Sequence, residues 1–221
     1  VAAACLAVLG VSLARRHAGV RGQRAEHDRR TARVAAMTGI ERAPAEPAAA
    51  AGPEFAPVLD LVPVVVGVIG LVFAAVAAAP DGGADVATSL LRTMAGAAFL
   101  GCVTDAMLLG HWYLVQPGLP RRLLNEIVTA LGWTWPIEVG ALLIPVGMVS
   151  VWTGAVDDGW NGTLGWFWAA CAVTTIVLVF VTRAALRERE YSAVMAATGL
   201  LYLAILTAFG TDIVARAVLD G

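Results

Sequence analysis

Three ionisable side chains, Asp105, His111 and Glu138, lie within stretches of the sequence that are otherwise apolar. An ionisable group inside a membrane is costly, so each of these needs a partner or a purpose. By helix rise from the predicted helix ends, Asp105 lies about 18 Å and Glu138 about 16 Å from the same membrane face. Two carboxyls close together in a low dielectric cannot both ionise, so they would share a proton. The pattern predicts a proton or solute site near the midplane, with Asp105, Glu138 and His111 as candidates.

A structural role accounts for the same carboxyls without any activity. A lone Asp in a membrane span often makes only an interhelical hydrogen bond to a Ser, Thr or Trp side chain. Thr104 and Thr134 are available near the two carboxyls. The sequence therefore leaves the functional and the structural interpretations of Asp105 and Glu138 open.

His111 is followed directly by Trp112 and Tyr113, about 9 Å from the predicted cytoplasmic face. A quinone ring can stack on aromatic side chains and hydrogen-bond to an imidazole at this level. Anchoring of the helix at the membrane interface explains the same rings. These three residues are the predicted quinone or interface site, and a quinone is the cofactor that this hypothesis implies.

The spacing of the candidate ligands argues against a metal centre. Asp105 and His111 are six residues apart, about 240° around a helix, so they face different directions. The three cysteines are single and widely spaced, without a CxxC motif. A bis-histidine haem needs two intramembrane histidines, and the other two histidines fall outside the apolar stretches. We predict no metal ligands, and no catalytic residues either, since the sequence contains no HExxH motif or convincing Ser/His/Asp set.

A second polar group lies near the predicted outer face. Asp212 and Arg216 are four residues apart, in the acid-before-base order that favours an ion pair on a helix. Arg92 opens the third predicted span at a similar level. The spacing predicts an outer-face ion pair of Asp212 and Arg216 with Arg92 nearby, and structural clamping of the helices is the simplest interpretation.

The composition shows what kind of element must position these residues. The chain has 59% hydrophobic and 14% charged residues and a mean hydropathy of +0.76. A soluble domain has roughly 45–50% apolar and about 25% charged residues. Lipid is the natural solvent for the excess apolar surface. The formal net charge of −2 gives no indication of a nucleic-acid partner, and the use of Arg without Lys is typical of a GC-rich bacterial genome.

The apolar stretches predict an all-α, polytopic bundle of six transmembrane helices. A spanning helix needs about 20 predominantly apolar residues. Five stretches meet this length, and the sixth, at the N-terminus, is short. The predicted spans are Val1–Ala14, Leu61–Ala79, Met94–Val115, Val128–Val151, Leu164–Leu186 and Ser192–Val214.

The loops between these spans predict an orientation. Arg-rich connections follow the first, third and fifth spans, whereas Asp-containing connections follow the second and fourth. This alternation is what the positive-inside rule requires of a six-span protein. We therefore expect a bacterial cytoplasmic (inner) membrane location, with the N-terminus outside and the first long loop in the cytoplasm.

The chain divides in sequence into three parts. Residues 1–14 form the first span, residues 15–57 an Arg-rich and then Ala/Pro-rich cytoplasmic segment, and residues 58–221 a five-helix transmembrane domain. Near the surface, the Arg residues of the middle part attract the anionic inner leaflet by about 1 kcal/mol per charge. Its Pro/Ala half has the composition of a linker.

Three functions remain open from the sequence. The first is a membrane subunit of an energy-transducing (respiratory or electron-transfer) assembly, which handles quinone or protons without its own bis-histidine haem. The second is a small solute or ion transporter with a midplane carboxylate site. The third is a membrane scaffold or assembly factor that recruits a partner through its Arg-rich loop. In each case the expected partners are the lipid bilayer and other membrane subunits, without an autonomous catalytic activity.

Overall fold

The computed structural model describes residues 7, 23–38, 61–79, 84–115, 121–144, 147–188 and 190–219. Within these residues it contains seven α-helices of four residues or more and no strand, which confirms the predicted all-α class for this part of the chain. The helices are α1 (Gln23–Thr38), α2 (Leu61–Ala78), α3 (Ala84–Val115), α4 (Arg121–Leu143), α5 (Val149–Trp152), α6 (Thr163–Ala185) and α7 (Tyr191–Leu219).

Four of the described helices, α2, α3, α6 and α7, are long and apolar enough to cross a membrane. Helix α4 has 23 residues but is less apolar, because it includes Glu126 and Glu138 and begins with two arginines. A membrane helix bundle is therefore supported, whereas the predicted count of six spans is not confirmed. The short first span, Val1–Ala14, lies outside the described residues except for Ala7.

The predicted fourth span, Val128–Val151, is not one continuous helix. Helix α4 begins seven residues earlier and ends at Leu143, and the short helix α5 follows after a break. Gly147 adopts a φ of +44°, and Met148 N–H donates to Leu142 O at 2.9 Å, so the chain turns back on the end of α4.

The third predicted span is also longer than expected. Helix α3 begins at Ala84 rather than Met94, so Arg92 lies more than two turns inside the helix and not at its start. The acidic first turn, with Asp85, suits a helix N-terminus, where the unpaired N–H groups favour negative charge.

The chain forms two compact units, Val1–Ala74 and Ala75–Gly221. The first contains α1 and most of α2, and the second contains the last turn of α2 and helices α3 to α7. Of the predicted cytoplasmic segment, residues 15–57, the structure describes α1 alone.

In the second unit, α3 packs against α4 and α7, and α6 packs against α7 and α4. Successive long helices are antiparallel, so the unit has two distinct ends. At the Arg-rich end, Arg121 of α4 donates to the backbone oxygens of Glu188 and Glu190, and Tyr191 Oη donates to Leu114 O at 3.1 Å. At the Trp-rich end, which carries α5 and the α5–α6 loop, Trp152 packs against two further indoles with ring centroids 5.9 Å apart.

The interior of this unit consists of two apolar clusters. The main core contains the buried side chains Phe99, Val103, Leu124, Val128, Leu131, Val179 and Leu201, with buried alanines of α7. The end core, toward the Trp-rich end, contains Leu142, Met148, Val151, Trp168 and Ala215. Buried residues recur about every three to four positions along α7, and several of them are alanines, which allow neighbouring helices to approach closely.

Candidate functional site

Glu138, on α4, is the most unusual buried side chain in the described part of the protein. It is 0% exposed, and neither of its carboxyl oxygens has a hydrogen-bond partner there. Its charged neighbours are Asp212 and Arg216 of α7. Buried polar groups are nearly always hydrogen-bonded, so a carboxyl group without a partner requires an explanation.

Glu138 and Asp212 lie at the junction between the main core and the end core. On α4, Glu138 follows Leu131 of the main core and precedes Leu142 of the end core. On α7, Asp212 is placed in the same way between buried alanines of the two clusters. The carboxyl pair is therefore enclosed by apolar side chains on both sides along the bundle axis.

Asp212 forms an ion pair with Arg216 one turn later on α7. Arg216 Nε lies 2.9 Å from each of the two Asp212 carboxyl oxygens, and Asp212 is only 4% exposed. Gly96 of α3 makes room for this pair. A Cβ atom at Gly96 would lie 2.5 Å from Arg216 Nη2 and 2.6 Å from Asp212 Oδ1. In this arrangement of the pair there is no room for a Cβ atom at residue 96.

Arg92, one turn before Gly96, connects the ion pair to the end of α4. Its Nε donates to Ala141 O at 3.3 Å and its Nη2 to Ile144 O at 2.8 Å. Arg216 Nη2 in turn donates to the backbone oxygen of Arg92 at 3.3 Å. The last carbonyls of a helix have no partner within it, so Arg92 satisfies groups that the helix leaves open.

These residues form one cluster, which we call the acid cluster: Glu138 on α4, Asp212 and Arg216 on α7, and Gly96 and Arg92 on α3. The structure places the predicted outer-face residues Asp212, Arg216 and Arg92 together in it. It adds Glu138, which was predicted to pair with Asp105, and Gly96, for which no role was predicted. Gly96 lies one helical turn after Arg92 and therefore on the same face of α3, and this spacing is the sequence feature that could have indicated its place in the cluster.

The structure does not bring Asp105 and Glu138 together. Asp105 is exposed on α3, whereas Glu138 is fully buried beside α7. Asp105 lies about 15 Å from the end of α3, but Glu138 lies about 26 Å from the start of α4 at Arg121. The predicted depth of Glu138 assumed that the fourth span begins near Ile127, whereas α4 begins at Arg121.

Asp105 lines an open groove of about 740 Å³ between α3 and α4. Trp112 lines the same groove and is 51% exposed. Tyr113, the next residue, points the other way and is buried in the main core. Successive residues of a helix differ by about 100° in direction, so the predicted group of His111, Trp112 and Tyr113 is not one surface.

His111 has a partner that the sequence did not indicate. Its Nδ1 lies 3.2 Å from Tyr202 Oη of α7, and the two rings meet edge to face with centroids 6.4 Å apart. Both residues are exposed on the side of the bundle. They form a polar, aromatic pair on a surface that is otherwise apolar.

The α5–α6 loop positions the first turn of α6. Asp158 Oδ1 accepts from the N–H groups of Gly162 at 2.8 Å and Trp160 at 3.0 Å, and Oδ2 accepts from Leu164 N–H at 2.9 Å. These hydrogen bonds, the one from Gly162 foremost, lower the pKa of Asp158 below its ordinary value. The loop thereby fixes where α6 begins and where Trp168 enters the end core.

Comparison with known proteins assigns no family. No protein-family model matches the chain, and neither a curated protein nor a solved structure matches it.

Proposed function

We propose that this chain is a proton-handling membrane protein in which Glu138 of the acid cluster takes up and releases a proton. The observation that carries the proposal is the complete burial of Glu138, without a hydrogen-bond partner in the described residues, next to Asp212. Intramembrane carboxyls in such settings mark proton relays and ion pathways.

The charges of the cluster favour one proton as its ligand. Beside the Glu138 carboxyl lie the Asp212 carboxyl and the Arg216 guanidinium, whereas the Arg92 guanidinium is hydrogen-bonded to the carbonyls of Ala141 and Ile144. One added proton makes the three groups neutral together, which an apolar surrounding favours. Both oxygens of Asp212 are engaged by Arg216, whereas Glu138 has no such cation on its oxygens and faces the carboxyl of Asp212. Glu138 is therefore the group that we expect to carry the proton.

The position of Glu138 suggests where the proton enters. Glu138 lies about 8 Å from the last residue of α4 and about 26 Å from its first, so the Trp-rich end is nearer. The end core and the α4 terminus held by Arg92 stand between the carboxyl and that end. We propose that movement of this terminus admits the proton, and that the Arg-rich end is cytoplasmic, as the distribution of Arg favours.

The test is proton uptake by the full chain reconstituted in liposomes. We expect infrared difference spectra to show the carbonyl stretch of a protonated, buried carboxyl, which Glu138→Gln removes. Glu126→Gln is the matched control, because Glu126 is exposed on the same helix and paired with Arg122 at 2.6 Å. An unchanged band in Glu138→Gln would overturn the proposal.

A pH-sensitive dye inside the same liposomes distinguishes a transporter, which moves protons by itself, from a subunit that needs other proteins to do so. Proton flux by the chain alone, reduced roughly 100-fold in Glu138→Gln, would indicate a transporter. A titrating Glu138 without flux would indicate a membrane subunit of an energy-transducing assembly whose other subunits drive the proton. A scaffold or assembly factor would show neither signal.

A second candidate function, quinone binding, has a separate support. The His111–Tyr202 pair offers a hydrogen-bonding group and aromatic rings on the apolar side of the bundle. We expect a short-chain quinone to bind the reconstituted chain roughly tenfold more weakly after His111→Ala. Trp133→Phe serves as the control, because Trp133 is exposed on another helix. Equal binding by both variants would remove the support for this candidate.

A further inference from the structure

The groove between α3 and α4 is distinct from the acid cluster. It has a volume of about 740 Å³, opens to the side of the bundle and lies toward the Arg-rich end. Leu108, Trp112, Leu123 and Ile127 form most of its wall, and two carboxyls, Asp105 and Glu126, border it.

The two carboxyls differ in how they are compensated. Glu126 accepts a hydrogen bond from Arg122 Nε at 2.6 Å, so this part of the groove is electrically neutral. Asp105 has no hydrogen bond or ion pair with any residue that the structure describes, and its polar neighbour is the Cys102 thiol. The groove therefore carries one uncompensated carboxyl at its end farther from the Arg-rich end.

Asp105 belongs to a helix that is long and apolar enough to span a membrane, about 15 Å from its end. An exposed carboxyl at such a depth faces hydrocarbon unless another molecule covers it. Bare charge in hydrocarbon is costly, and intramembrane carboxyls are normally paired. A cation in the groove would provide the missing partner.

We propose that this groove binds an amphiphilic organic monocation, a hydrophobic amine or an onium ion, with the cationic centre at Asp105. The apolar wall suits the hydrophobic part of such a ligand. The half-exposed indole of Trp112 offers a ring face for a cation or for apolar contact. The proposal does not depend on proton transfer at Glu138.

Other occupants fit the charges less well. A bare Mg²⁺ or Ca²⁺ ion needs about six oxygen ligands, and the groove offers one free carboxyl. A second copy of the chain would have to present a free basic residue at the depth of Asp105. Arg92 and Arg216 are engaged in the acid cluster, and Arg183 lies only about 3 Å from the end of α6. An anionic lipid would be repelled.

The experiment measures binding of tetraphenylphosphonium to the full chain in nanodiscs of zwitterionic lipid. We expect saturable binding of one ion per chain, absent from empty nanodiscs, and no competition by the isosteric anion tetraphenylborate. Asp105→Asn should weaken binding roughly tenfold or more, and Asp105→Glu should retain it. Asp157→Asn, in the exposed α5–α6 loop, is the control and should bind as the wild type does.

Two results would overturn the inference. One is uptake that is not saturable and equals that of empty nanodiscs, which is partition into lipid only. The other is equal affinity of Asp105→Asn and the wild type, provided that both give the same helical circular-dichroism spectrum. Because Glu138→Gln leaves the groove intact, that variant should still bind tetraphenylphosphonium even if the proton-handling proposal fails.

Discussion

Gly96 shows how a residue without a side chain supports a charged site. The Asp212–Arg216 ion pair occupies the space that a Cβ atom at residue 96 would take. Larger residues at that position would push Arg216 away from Asp212 or separate α3 from α7. Either change would leave a nearly buried carboxylate without its counter-ion, which is costlier than the loss of a surface pair.

We therefore expect Gly96→Ala to lower the free energy of unfolding by about 1–3 kcal/mol. The matched control is Gly101→Ala on the same helix, where an added Cβ would meet nothing within 4 Å. That control should be neutral or should stabilise the helix by up to about 1 kcal/mol, since Ala is the better helix former. Denaturant titration of the purified chain measures both free energies of unfolding. Equal values for the two variants would contradict the close contact of Gly96 with the Asp212–Arg216 pair.

At its Trp-rich end, helix α4 is fixed by contacts from α3 in addition to the turn at Gly147. Arg92 of α3 donates to two of its last carbonyls, and the break that follows contains a residue with positive φ. Glu138 lies little more than one turn before that break. The geometry of the acid cluster thus depends on how the α4 terminus is fixed.

Arg92→Met should lower the free energy of unfolding by about 1–2 kcal/mol, because the carbonyls of Ala141 and Ile144 lose their donor. Hydrogen exchange at the Met148 amide, which donates to Leu142 O, should become faster. Arg183→Met is the control, because among the described residues its guanidinium makes no hydrogen bond to another helix. Unchanged exchange in Arg92→Met would show that the end of α4 is stable without the hydrogen bonds from Arg92.

The α5–α6 loop should make stability depend on pH through Asp158. The hydrogen bond from Gly162 N–H, with those from Trp160 and Leu164, lowers the pKa of Asp158 from its ordinary value of 3.8. Since the folded-state pKa is the lower one, the stabilisation is complete above about pH 3.8 and is lost as the pH falls through the folded-state value.

Asp158→Asn should therefore reduce Tm at neutral pH, and the difference from the wild type should vanish in acid. Thermal melts monitored by circular dichroism across this pH range provide the measurement. Asp157→Asn, which removes an acceptor of one N–H group only, should show a smaller effect. A difference in Tm from the wild type that does not change with pH would contradict the role of the Asp158 carboxylate charge.

At the scale of the whole molecule, the second unit is a bundle of antiparallel helices with two unlike ends. Basic residues and backbone carbonyls meet at the Arg-rich end, and indoles and the Asp158 loop lie at the other. The positive-inside rule relates this asymmetry to an orientation in the membrane. The acid cluster would then lie nearer the outer face and the groove nearer the cytoplasm.

Cysteine labelling tests this orientation. In a chain whose three native cysteines are replaced by Ser, we expect Asp157→Cys to react with an impermeant maleimide on intact cells. Glu188→Cys, at the opposite end of α6, should react only after the membrane is opened. The reverse pattern would invert the proposed orientation, and labelling of both positions on intact cells would contradict the spanning of the membrane by α6.

Much of this architecture was predictable from local features of the sequence. The apolar stretches predicted helices in place of strands, and α6 and α7 begin within one residue of the predicted Leu164 and Ser192. The Asp212–Arg216 spacing predicted that the two side chains share a helix face, because an i,i+4 relation depends only on helix geometry. Such features need no knowledge of the neighbouring helices.

The partner of Glu138 was decided by the tertiary structure alone. Composition does not determine where α4 begins, because its first two turns mix polar with apolar residues and are stabilised by contacts such as that of Arg121 with the α6–α7 connection. Nor does it determine which neighbour a helix face meets, because rotation about the helix axis is set by the packing of small residues on α7 and at Gly96. Depth along a span therefore wrongly suggested Asp105 as the partner, whereas packing brought Glu138 to Asp212.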